Sequence, residues 1–302
     1  MKQQLLSQAM GIIRQHRETN DNLAKQHLID ALKIDEFKKA YQDYREAEIE
    51  LAKDEAFGVK NDGKKFAECK KNLATIQNKL GIGNIFATYN CPICHDTGKV
   101  DGKYCKCFNR EVALLLRKDS GFDKLEDFSA SNFKLFDNPE KAQKIYALMQ
   151  KWCKLDSDKK TVVLCGQTGT GKTHLLKCMA NEIIAQGKIA QIMTAFNLNQ
   201  KFLEIHTASE NEKENLIKTL LYPDVLFIDD LGTEPVYRNV TREYLYLLIN
   251  ERQVRSLATV ITTNLFPDDI MERYDERIFS RLVDKNKSIL IELDGKDLRI
   301  KK

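Results

Sequence analysis

The sequence predicts an α/β fold in which a parallel β-sheet lies between helices, preceded by a helical N-terminal region. Two observations in the C-terminal half support the sheet: apolar, β-branched runs recur between helical segments, and two of these runs end in glycines or carboxylates. The third observation concerns residues 1–80, which are rich in Lys, Glu, Gln, Ala and Leu and contain no Pro. Their apolar residues recur at helical intervals, which is typical of helices.

The composition is that of a soluble globular protein, with 42% hydrophobic and 30% charged residues in a chain of 302. We expect a cytoplasmic location and no membrane partner, because no apolar span is visible and the N-terminus lacks the apolar core of a signal peptide. The formal net charge of +4 neither demands nor excludes a nucleic-acid partner.

Residues 1–80 are predicted to form two or three helices, with a break at Asn61-Asp62-Gly63. These helices form either a solvated bundle or a docking surface for the helices of a partner, and the pattern does not separate the two. Further on, helices are predicted over residues 110–118 and 139–152. The aromatic-rich stretch between them, residues 122–136, packs either beside the base of a bound nucleotide or in the core.

Four cysteines form two close pairs, C-x-x-C and C-x-C, on either side of a glycine-containing turn: Cys91, Cys94, Cys105 and Cys107. Four thiolates suit tetrahedral Zn²⁺, so this spacing predicts a structural zinc knuckle with no open position for catalysis. His95 or Cys69 could replace one ligand. The alternative is a disulfide pair, although nothing else in the sequence suggests export.

A glycine-rich stretch connects the strand that begins at Thr161 to a helix-forming segment. Gly166 and Gly171 bracket four residues and precede Lys172 and Thr173, which is the G-x-x-x-x-G-K-[ST] pattern that wraps backbone N–H groups around the phosphates of a nucleotide such as ATP. Lys172 is expected to contact the β and γ phosphates, and Thr173 to ligate Mg²⁺. The candidate nucleotide-binding residues are Gly166, Gln167, Thr168, Gly169, Thr170, Gly171, Lys172, Thr173 and His174. The alternative is a turn that needs glycine only for its backbone geometry.

An apolar strand that follows Asp224 ends in two carboxylates, Asp229 and Asp230. After a P-loop, such a strand is the second half of an ATP site: Asp229 is expected to hold the Mg²⁺ shell, and Asp230 to polarise the attacking water. The alternative is an ordinary polar strand end.

Two further segments complete the predicted site. The strand over residues 259–263 ends in Asn264, which is expected to touch the γ-phosphate or the attacking water if this strand lies between the other two. Arg277 and Arg281 lie four residues apart on one helical face. One of them could form a local ion pair, and the other could reach the γ-phosphate of a neighbouring subunit as an arginine finger.

These motifs together resemble the bacterial replicative helicase loaders of the DnaC/DnaI type, a branch of the AAA+ ATPases related to the IstB transposition helpers. The matching segments are 166–174, 226–232, 261–264 and 277–282, which correspond in order to Walker A, Walker B, sensor 1 and the arginine finger. The resemblance implies a helical zinc-binding N-terminal domain over residues 1–110, a connector over 111–159 and an AAA+ ATPase domain over 160–302.

The resemblance also implies partners. It implies that the N-terminal domain binds the replicative DNA helicase and that the ATPase domain associates with copies of itself, with Arg281 the better finger candidate and Arg277 the reserve. Single-stranded DNA would contact the segment 196–221, where phosphate contacts would come from Lys201, Lys213 and Lys218. The implied activity is ATP-dependent delivery of the helicase to DNA during replication.

The sequence departs from the AAA+ pattern in one respect that bears on activity. Asp230 occupies the position at which most AAA+ ATPases carry Glu, and its shorter reach to water implies slow hydrolysis, typical of a switch and not of a motor. We expect DNA or a partner to stimulate this hydrolysis. For a second sensor the sequence offers only Arg299. Two other functions stay open: an adaptor in which the nucleotide merely holds the shape, and a transposition-helper ATPase, against which the zinc-bearing N-terminal region argues.

Overall fold

The computed structural model describes residues 2–117, 122 and 124–299. Over these residues the α-helices are α1 (Lys2–Ala31), α2 (Asp35–Ala56), α3 (Lys64–Lys79), α4 (Lys106–Arg117), α5 (Pro139–Trp152), α6 (Lys172–Ala185), α7 (Ala195–Thr207), α8 (Glu210–Leu221), α9 (Thr241–Val254), α10 (Pro267–Arg273) and α11 (Glu276–Val283). Short 3-10 helices cover Phe128–Ala130 and Phe133–Leu135. The strands are β1 (Lys99–Val100), β2 (Lys103–Tyr104), β3 (Thr161–Cys165), β4 (Ala190–Thr194), β5 (Val225–Leu231), β6 (Ala258–Thr263) and β7 (Ser288–Glu292).

The chain divides into two compact units, residues 11–100 and residues 1–10 together with 101–302. The division into domains over residues 1–110, 111–159 and 160–302 stays a prediction. Across the described part of the chain, no helix has both the length and the apolar character needed to cross a lipid bilayer.

The unit over residues 11–100 is helical, as predicted, and the break at Asn61-Asp62-Gly63 separates α2 from α3. Side-chain oxygens stabilise this turn, because Asn61 accepts a hydrogen bond from the Gly63 amide at 2.9 Å. A small apolar core joins the helices: Ala31, Phe37, Ala40, Tyr44, Leu73 and Ile85. Tyr44 packs against both Phe66 and Phe86, with ring centroids 5.5 and 5.9 Å apart.

The other unit contains a five-stranded parallel sheet with the strand order β4-β5-β6-β3-β7. This order places β6 between the P-loop strand β3 and the acidic strand β5, which is the arrangement that the expected role of Asn264 requires. Parallel strands have both faces covered by helices, which is why β3 and β6 are buried along their whole length and show no polar alternation.

Helices cover both faces of this sheet, and the two resulting cores are separate. Because successive residues of a strand face opposite sides, Val162 and Leu164 pack with α5 and α6, whereas Val163 packs with α7, α9 and α11. The carboxyl ends of β3, β5 and β6 meet at one edge, where ligands of open α/β sheets bind. The predicted α/β fold, a parallel sheet between helices, is therefore confirmed.

The structure differs from the sequence-based expectations in element bounds and in two α-helices. The helix predicted over residues 110–118 is α4, which begins at Lys106, whereas Lys118 lies outside the described residues. No helix was predicted for α9, between β5 and β6, or for α10, which follows β6. The buried residues of α9 lie on one face, and three of the six are polar, so the apolar stripe is incomplete in the sequence: Thr241, Leu245, Leu248, Ile249, Arg252 and Gln253.

Candidate nucleotide-binding site

The glycines of the P-loop allow a close approach between this loop and the segment that follows β7. Gly166 and Gly169 have positive φ angles of 141° and 79°. A Cβ atom at Gly166 would lie 2.1 Å from the Leu293 carbonyl oxygen, and one at Gly169 would lie 2.0 Å from the Asp297 carboxylate. A larger residue is therefore excluded at Gly166 by conformation and by the Leu293 backbone, whereas at Gly169 the positive φ angle disfavours it and the Asp297 side chain would have to move.

Lys172, the first residue of α6, is buried and folded against its own loop. Its ammonium group donates hydrogen bonds of 2.7 and 2.6 Å to the carbonyl oxygens of Gly166 and Gln167. Burial lowers the pKa of Lys172, whereas the nearby carboxylates of Asp230 and Asp229 act to raise it. The cation is thus held inside the loop, where a phosphate would compete with the carbonyl oxygens for it.

The predicted magnesium ligands Thr173 and Asp229 lie in contact. The Thr173 hydroxyl donates to the two carboxylate oxygens of Asp229 at 3.0 and 3.2 Å. Thr262, on β6, donates to Asp229 Oδ1 at 2.6 Å and accepts a hydrogen bond of 2.9 Å from the Asp230 amide. Burial raises the pKa of Asp229, whereas the hydrogen bond from Thr262 lowers it.

A hydroxyl beside a buried carboxylate is the oxygen-rich donor set that Mg²⁺ prefers, so Thr173 and Asp229 fit this ion. Asp230 comes next in the chain, with a left-handed φ of 56° that aspartate tolerates better than most residues. This conformation interrupts the strand pattern at Asp230, and the residue lines the cavity described next.

A cavity of about 360 Å³ opens beside the P-loop, which is within the range of small-ligand sites. Its lining includes the P-loop and acidic residues Thr168, Gly169, Gly171, Lys172, Thr173, His174 and Asp230. It also includes Asn264 and, from elsewhere in the chain, Ser131, Asn132, Phe136, Tyr146, Leu298 and Arg299. P-loop residues, Asp230 and Asn264 therefore line one cavity, and their roles in binding and hydrolysing ATP stay predictions.

One end of the cavity is aromatic. Tyr146 contacts His174, with its hydroxyl 3.1 Å from His174 Nδ1, and the rings of Phe136 and Tyr146 meet edge to face at 5.9 Å. Burial lowers the pKa of His174 and so favours the neutral imidazole. Phe122 lies in the core, and Phe128, Phe133 and Phe136 pack against it. Phe136 also lines the cavity, so a place beside the base of a nucleotide stays a prediction for this residue.

One polar group of the cavity, the side-chain oxygen of Asn264, is buried and has no hydrogen-bond partner within the described residues. A buried polar atom without a partner destabilises the protein unless a ligand or water satisfies it. The amide oxygen of Asn264 thus fits the predicted contact with the γ-phosphate region through bound water.

Arg299, the only candidate that the sequence offered for a second sensor, lines the cavity. Its guanidinium pairs with Asp297 at 2.8 Å. The amide of Leu298, the residue before it, donates to the Gly169 carbonyl at 3.0 Å. The carboxyl-terminal segment therefore lies against the P-loop and carries a cation to the cavity. The residues from 300 onward lie outside the described part of the chain.

The two arginines of α11 differ in what they contact. Arg277 pairs with Asp275 at 3.1 Å and with Glu243 at 3.3 Å, and its guanidinium lies 5.1 Å from the Tyr246 ring centroid. Arg281 is half-buried, and its guanidinium has no ion-pair partner in the described part of the chain. Neither arginine lines the cavity of its own chain. Arg277 therefore matches the local ion pair, and Arg281 is left as the candidate for contact with a second copy.

The sulfur atoms of Cys91, Cys94, Cys105 and Cys107 lie within 4.8 Å of one another. Four sulfurs at about 2.3 Å from a tetrahedral zinc ion are about 3.8 Å apart, so this set fits Zn²⁺. Within the described residues, the set includes neither His95 nor Cys69. The His95 ring instead packs against another aromatic ring at 5.5 Å, and Cys69 packs against the helical core.

The carboxylate of Asp96 supports the first cysteine pair. It is buried and accepts hydrogen bonds from the amides of Asn90 and Cys91, at 2.9 and 2.8 Å. These bonds fix the turn that carries Cys91 and Cys94, as the residues around a structural metal commonly do. Asp96 was not among the predicted site residues, because in sequence it resembles any surface aspartate in a turn.

The segment expected to contact single-stranded DNA forms α7 and α8. Lys213 and Lys218 pair with acidic residues of their own helix, Glu210 at 2.8 Å and Glu214 at 2.6 Å. Exposed ion pairs of this kind contribute little to stability, so these lysines can exchange their carboxylate partners for phosphates. The acidic partners nevertheless reduce the net positive charge on this face of α8. Phe196, at the start of α7, is 52% exposed.

Thr262 was also absent from the predicted site, although it contacts both carboxylate-bearing residues at the end of β5. The signal was present as two adjacent threonines before Asn264, at the end of a strand that is apolar apart from these residues and Thr259. A hydroxyl at the end of a fully buried strand needs a partner, and the neighbouring strand end supplies one.

Comparison with known proteins agrees with this geometry. The family described as IstB-like ATP binding protein matches residues 109–302. The replicative helicase loader DnaC of Escherichia coli K12 is 26% identical over 129 residues, which are 42% of this chain and 51% of that protein. The phage-like element PBSX protein XkdC of Bacillus subtilis is 25% identical over 225 residues, covering 68% of this chain and 83% of that protein. The chain thus spans about half the length of the curated DnaC relatives it matches.

Solved structures of similar fold include one titled as the DnaC helicase loader. It has a TM-score of 0.46 and 21% identity, and it covers 55% of this chain and 96% of that one. A structure titled DnaI has a TM-score of 0.44 and 23% identity, and it covers 57% of this chain and 90% of that one.

Proposed function

The chain belongs to the IstB-like ATP binding protein family, and on that premise we propose that it is an ATPase that binds a replicative DNA helicase and delivers it to single-stranded DNA. The observation that carries the proposal is the meeting of Lys172, Thr173 and Asp229 beside one cavity, together with the likeness to the DnaC loader. The helicase is proposed as the partner only because of this likeness to DnaC, and the match covers 51% of that protein.

The P-loop is the proposed phosphate site. Its backbone N–H groups and the amino end of α6 favour an anion, and Lys172 would leave the carbonyl oxygens of its own loop to contact the β and γ phosphates. Thr173 and Asp229 would hold Mg²⁺, which neutralises phosphate charge. The base would lie at the aromatic end of the cavity, beside Tyr146 and Phe136.

Hydrolysis would use residues from two chains. Water attacks the γ-phosphorus, its proton passes to the Asp230 carboxylate, and the bond to the oxygen that bridges the β and γ phosphates breaks to give ADP and phosphate. Asn264 would orient the water through its unpartnered amide oxygen. Arg281 of a second copy would stabilise the charge that develops on the transferred group, because it does not line the cavity of its own chain.

The cysteine cluster is proposed to hold one structural zinc ion. The four sulfurs would bind it as thiolates, and the ion would cross-link the two cysteine pairs. The helices of residues 11–100 are proposed to contact the helicase, and α7 with its exposed Phe196 to contact single-stranded DNA.

Two measurements test this function together. The full-length protein is incubated with a purified replicative helicase, and complex formation is followed by size-exclusion chromatography. ATP hydrolysis is then measured with and without a single-stranded oligonucleotide. Complex formation and DNA-stimulated turnover support a loader. Complex formation without turnover supports a nucleotide-binding adaptor. DNA-stimulated turnover without complex formation argues against a loader and leaves the transposition helper, which copurification with a transposase in a separate experiment would support.

A further inference from the structure

The backbone carbonyl of Arg281 accepts two side-chain hydrogen bonds. Gln253, on α9, donates from Nε2 at 2.8 Å, and Ser288, the first residue of β7, donates from its hydroxyl at 3.1 Å. Gln253 Nε2 also donates to the hydroxyl of Thr161, at the start of the P-loop strand, at 3.1 Å. Gln253 and Ser288 are both buried, with exposed fractions of 8% and 6%. The backbone of Arg281 is therefore tied to two strands and one helix.

This tie lies in the last turn of α11, where carbonyl groups have no partner within the helix. Satisfying such a carbonyl would stabilise any helix end. This carbonyl differs from those of other helix ends because it belongs to Arg281, whose side chain has no ion-pair partner in the described residues. Arg277, one turn earlier, forms ion pairs with two acidic residues. The fixed backbone thus presents a guanidinium that no carboxylate of the described chain engages.

We infer that Gln253, together with Ser288, is a positioning residue that fixes the last turn of α11 so that Arg281 is presented to the nucleotide of a second copy. The inference rests on the proposed function, in which Arg281 completes the site of a neighbour. An arginine finger acts on transition-state charge, so its placement affects turnover more than nucleotide binding. A displacement of about 1 Å in a reacting geometry can lower the rate about a hundredfold.

The primary test uses Gln253→Leu in the full-length protein, because leucine keeps the volume and removes the amide donor. A matched control is Gln191→Leu: Gln191 is likewise buried in the sheet, on β4, at the opposite edge from β7. We expect Gln253→Leu to lower kcat for ATP at least about tenfold with KM changed less than about twofold, and Gln191→Leu to retain both values. The double variant Gln253→Leu with Ser288→Ala should lower kcat further.

Mixtures of chains separate positioning from general damage. Lys172→Ala chains retain a sound Arg281, so mixing them with Gln253→Leu chains should restore several-fold activity, because the intact P-loop of one chain meets the intact finger of the other. Mixing Gln253→Leu with Arg281→Ala should restore nothing. Unchanged kcat, or equal recovery with both partners, would overturn the inference.

Arg281→Ala alone, measured in parallel, keeps this inference distinct from the proposed function. If Arg281→Ala lowers kcat but Gln253→Leu does not, the positioning role fails and the finger stands. If Arg281→Ala itself retains wild-type kcat, the shared site fails, and the positioning role fails with it.

Discussion

The hydroxyl of Thr262 donates a hydrogen bond of 2.6 Å to Oδ1 of Asp229, across the boundary between β6 and β5. The same hydroxyl oxygen accepts from the amide of Asp230 at 2.9 Å. One fully buried threonine thus orients the proposed magnesium ligand and the backbone of the proposed base. The strand order makes this possible, because β6 lies next to β5.

Thr262→Val should weaken the response to magnesium. Valine keeps the shape and β-branching but removes a hydrogen bond to a charged group, and such bonds contribute about 1.5–3 kcal/mol. We expect the magnesium concentration for half-maximal ATP hydrolysis to rise at least about tenfold and the melting temperature to fall by a few degrees, because the Asp230 amide also loses its acceptor. Thr219→Val, in α8 and away from the site, is the matched control and should behave as wild type.

The same variant should shift the acid side of the pH profile. Burial raises the pKa of Asp229, and the Thr262 hydrogen bond lowers it again. Magnesium requires the carboxylate, so activity is lost as the pH falls through this raised pKa. Without the Thr262 donor the pKa rises further, and the acid limb of magnesium-dependent hydrolysis should move to higher pH. A shift to lower pH, or none, would contradict the proposed role of Asp229.

Lys172→Ala should abolish ATP binding and hydrolysis while the protein stays folded. The lysine ammonium donates to carbonyl oxygens of its own loop, and these can find water in its place. Isothermal titration with ATP and magnesium measures the affinity, and circular dichroism measures the fold. Lys188→Ala, at an exposed site just after α6, serves as the control. If Lys172→Ala bound ATP with wild-type affinity, this loop would not be the nucleotide-binding site.

The cysteine cluster should hold one zinc ion per chain in elemental analysis of the full-length protein. Cys94→Ser should lower the zinc content well below one, because a tetrahedral site then lacks a thiolate. Cys69→Ser should leave it at one, since Cys69 lies outside the cluster. Removal of the metal by a chelator should loosen the cysteine-bearing segment and spare ATP binding. Reactive thiols at all four positions in metal-free, folded protein would refute the site.

Arg281→Ala and Arg277→Ala should differ in their effect on turnover. Arg281→Ala should lower kcat by orders of magnitude with ATP affinity nearly unchanged, because a finger acts on the transition state of the neighbouring site. Arg277→Ala removes exposed ion pairs and should have a small effect. A mixture of Arg281→Ala and Lys172→Ala chains should regain activity. No recovery, where wild-type chains assemble, would argue against a shared site.

Much of the fold and the centre of the site could be predicted because their signals are local. The P-loop pattern specifies a strand, a turn and a helix within one short run of consecutive residues, 161–174. The carboxylates at the end of β5 are adjacent in sequence, and the cysteine pairs lie within one short segment. For these elements, spacing alone determines which atoms can meet.

Other contacts could not be predicted, because they join residues far apart in the chain. Arg252 has the sequence context of a surface arginine, yet it is fully buried and donates to the carbonyls of Leu220, Pro223 and Ala258. Burial lowers its pKa to about 9. Gln253 and Thr262 likewise acquire their roles only when α9 and β6 pack beside other elements. The contacts of these residues are determined by tertiary packing, which the sequence pattern of a single segment does not reveal.

The most direct test of the central claim is delivery of the cognate replicative helicase to a primed single-stranded DNA circle coated with single-stranded DNA-binding protein, measured as release of the annealed strand. With ATP, wild-type protein should raise the rate of strand release well above that of helicase alone, and Lys172→Ala should not, although it still binds the helicase. Equal strand release with wild type, with Lys172→Ala and without either protein would contradict the claim that this ATPase loads a helicase.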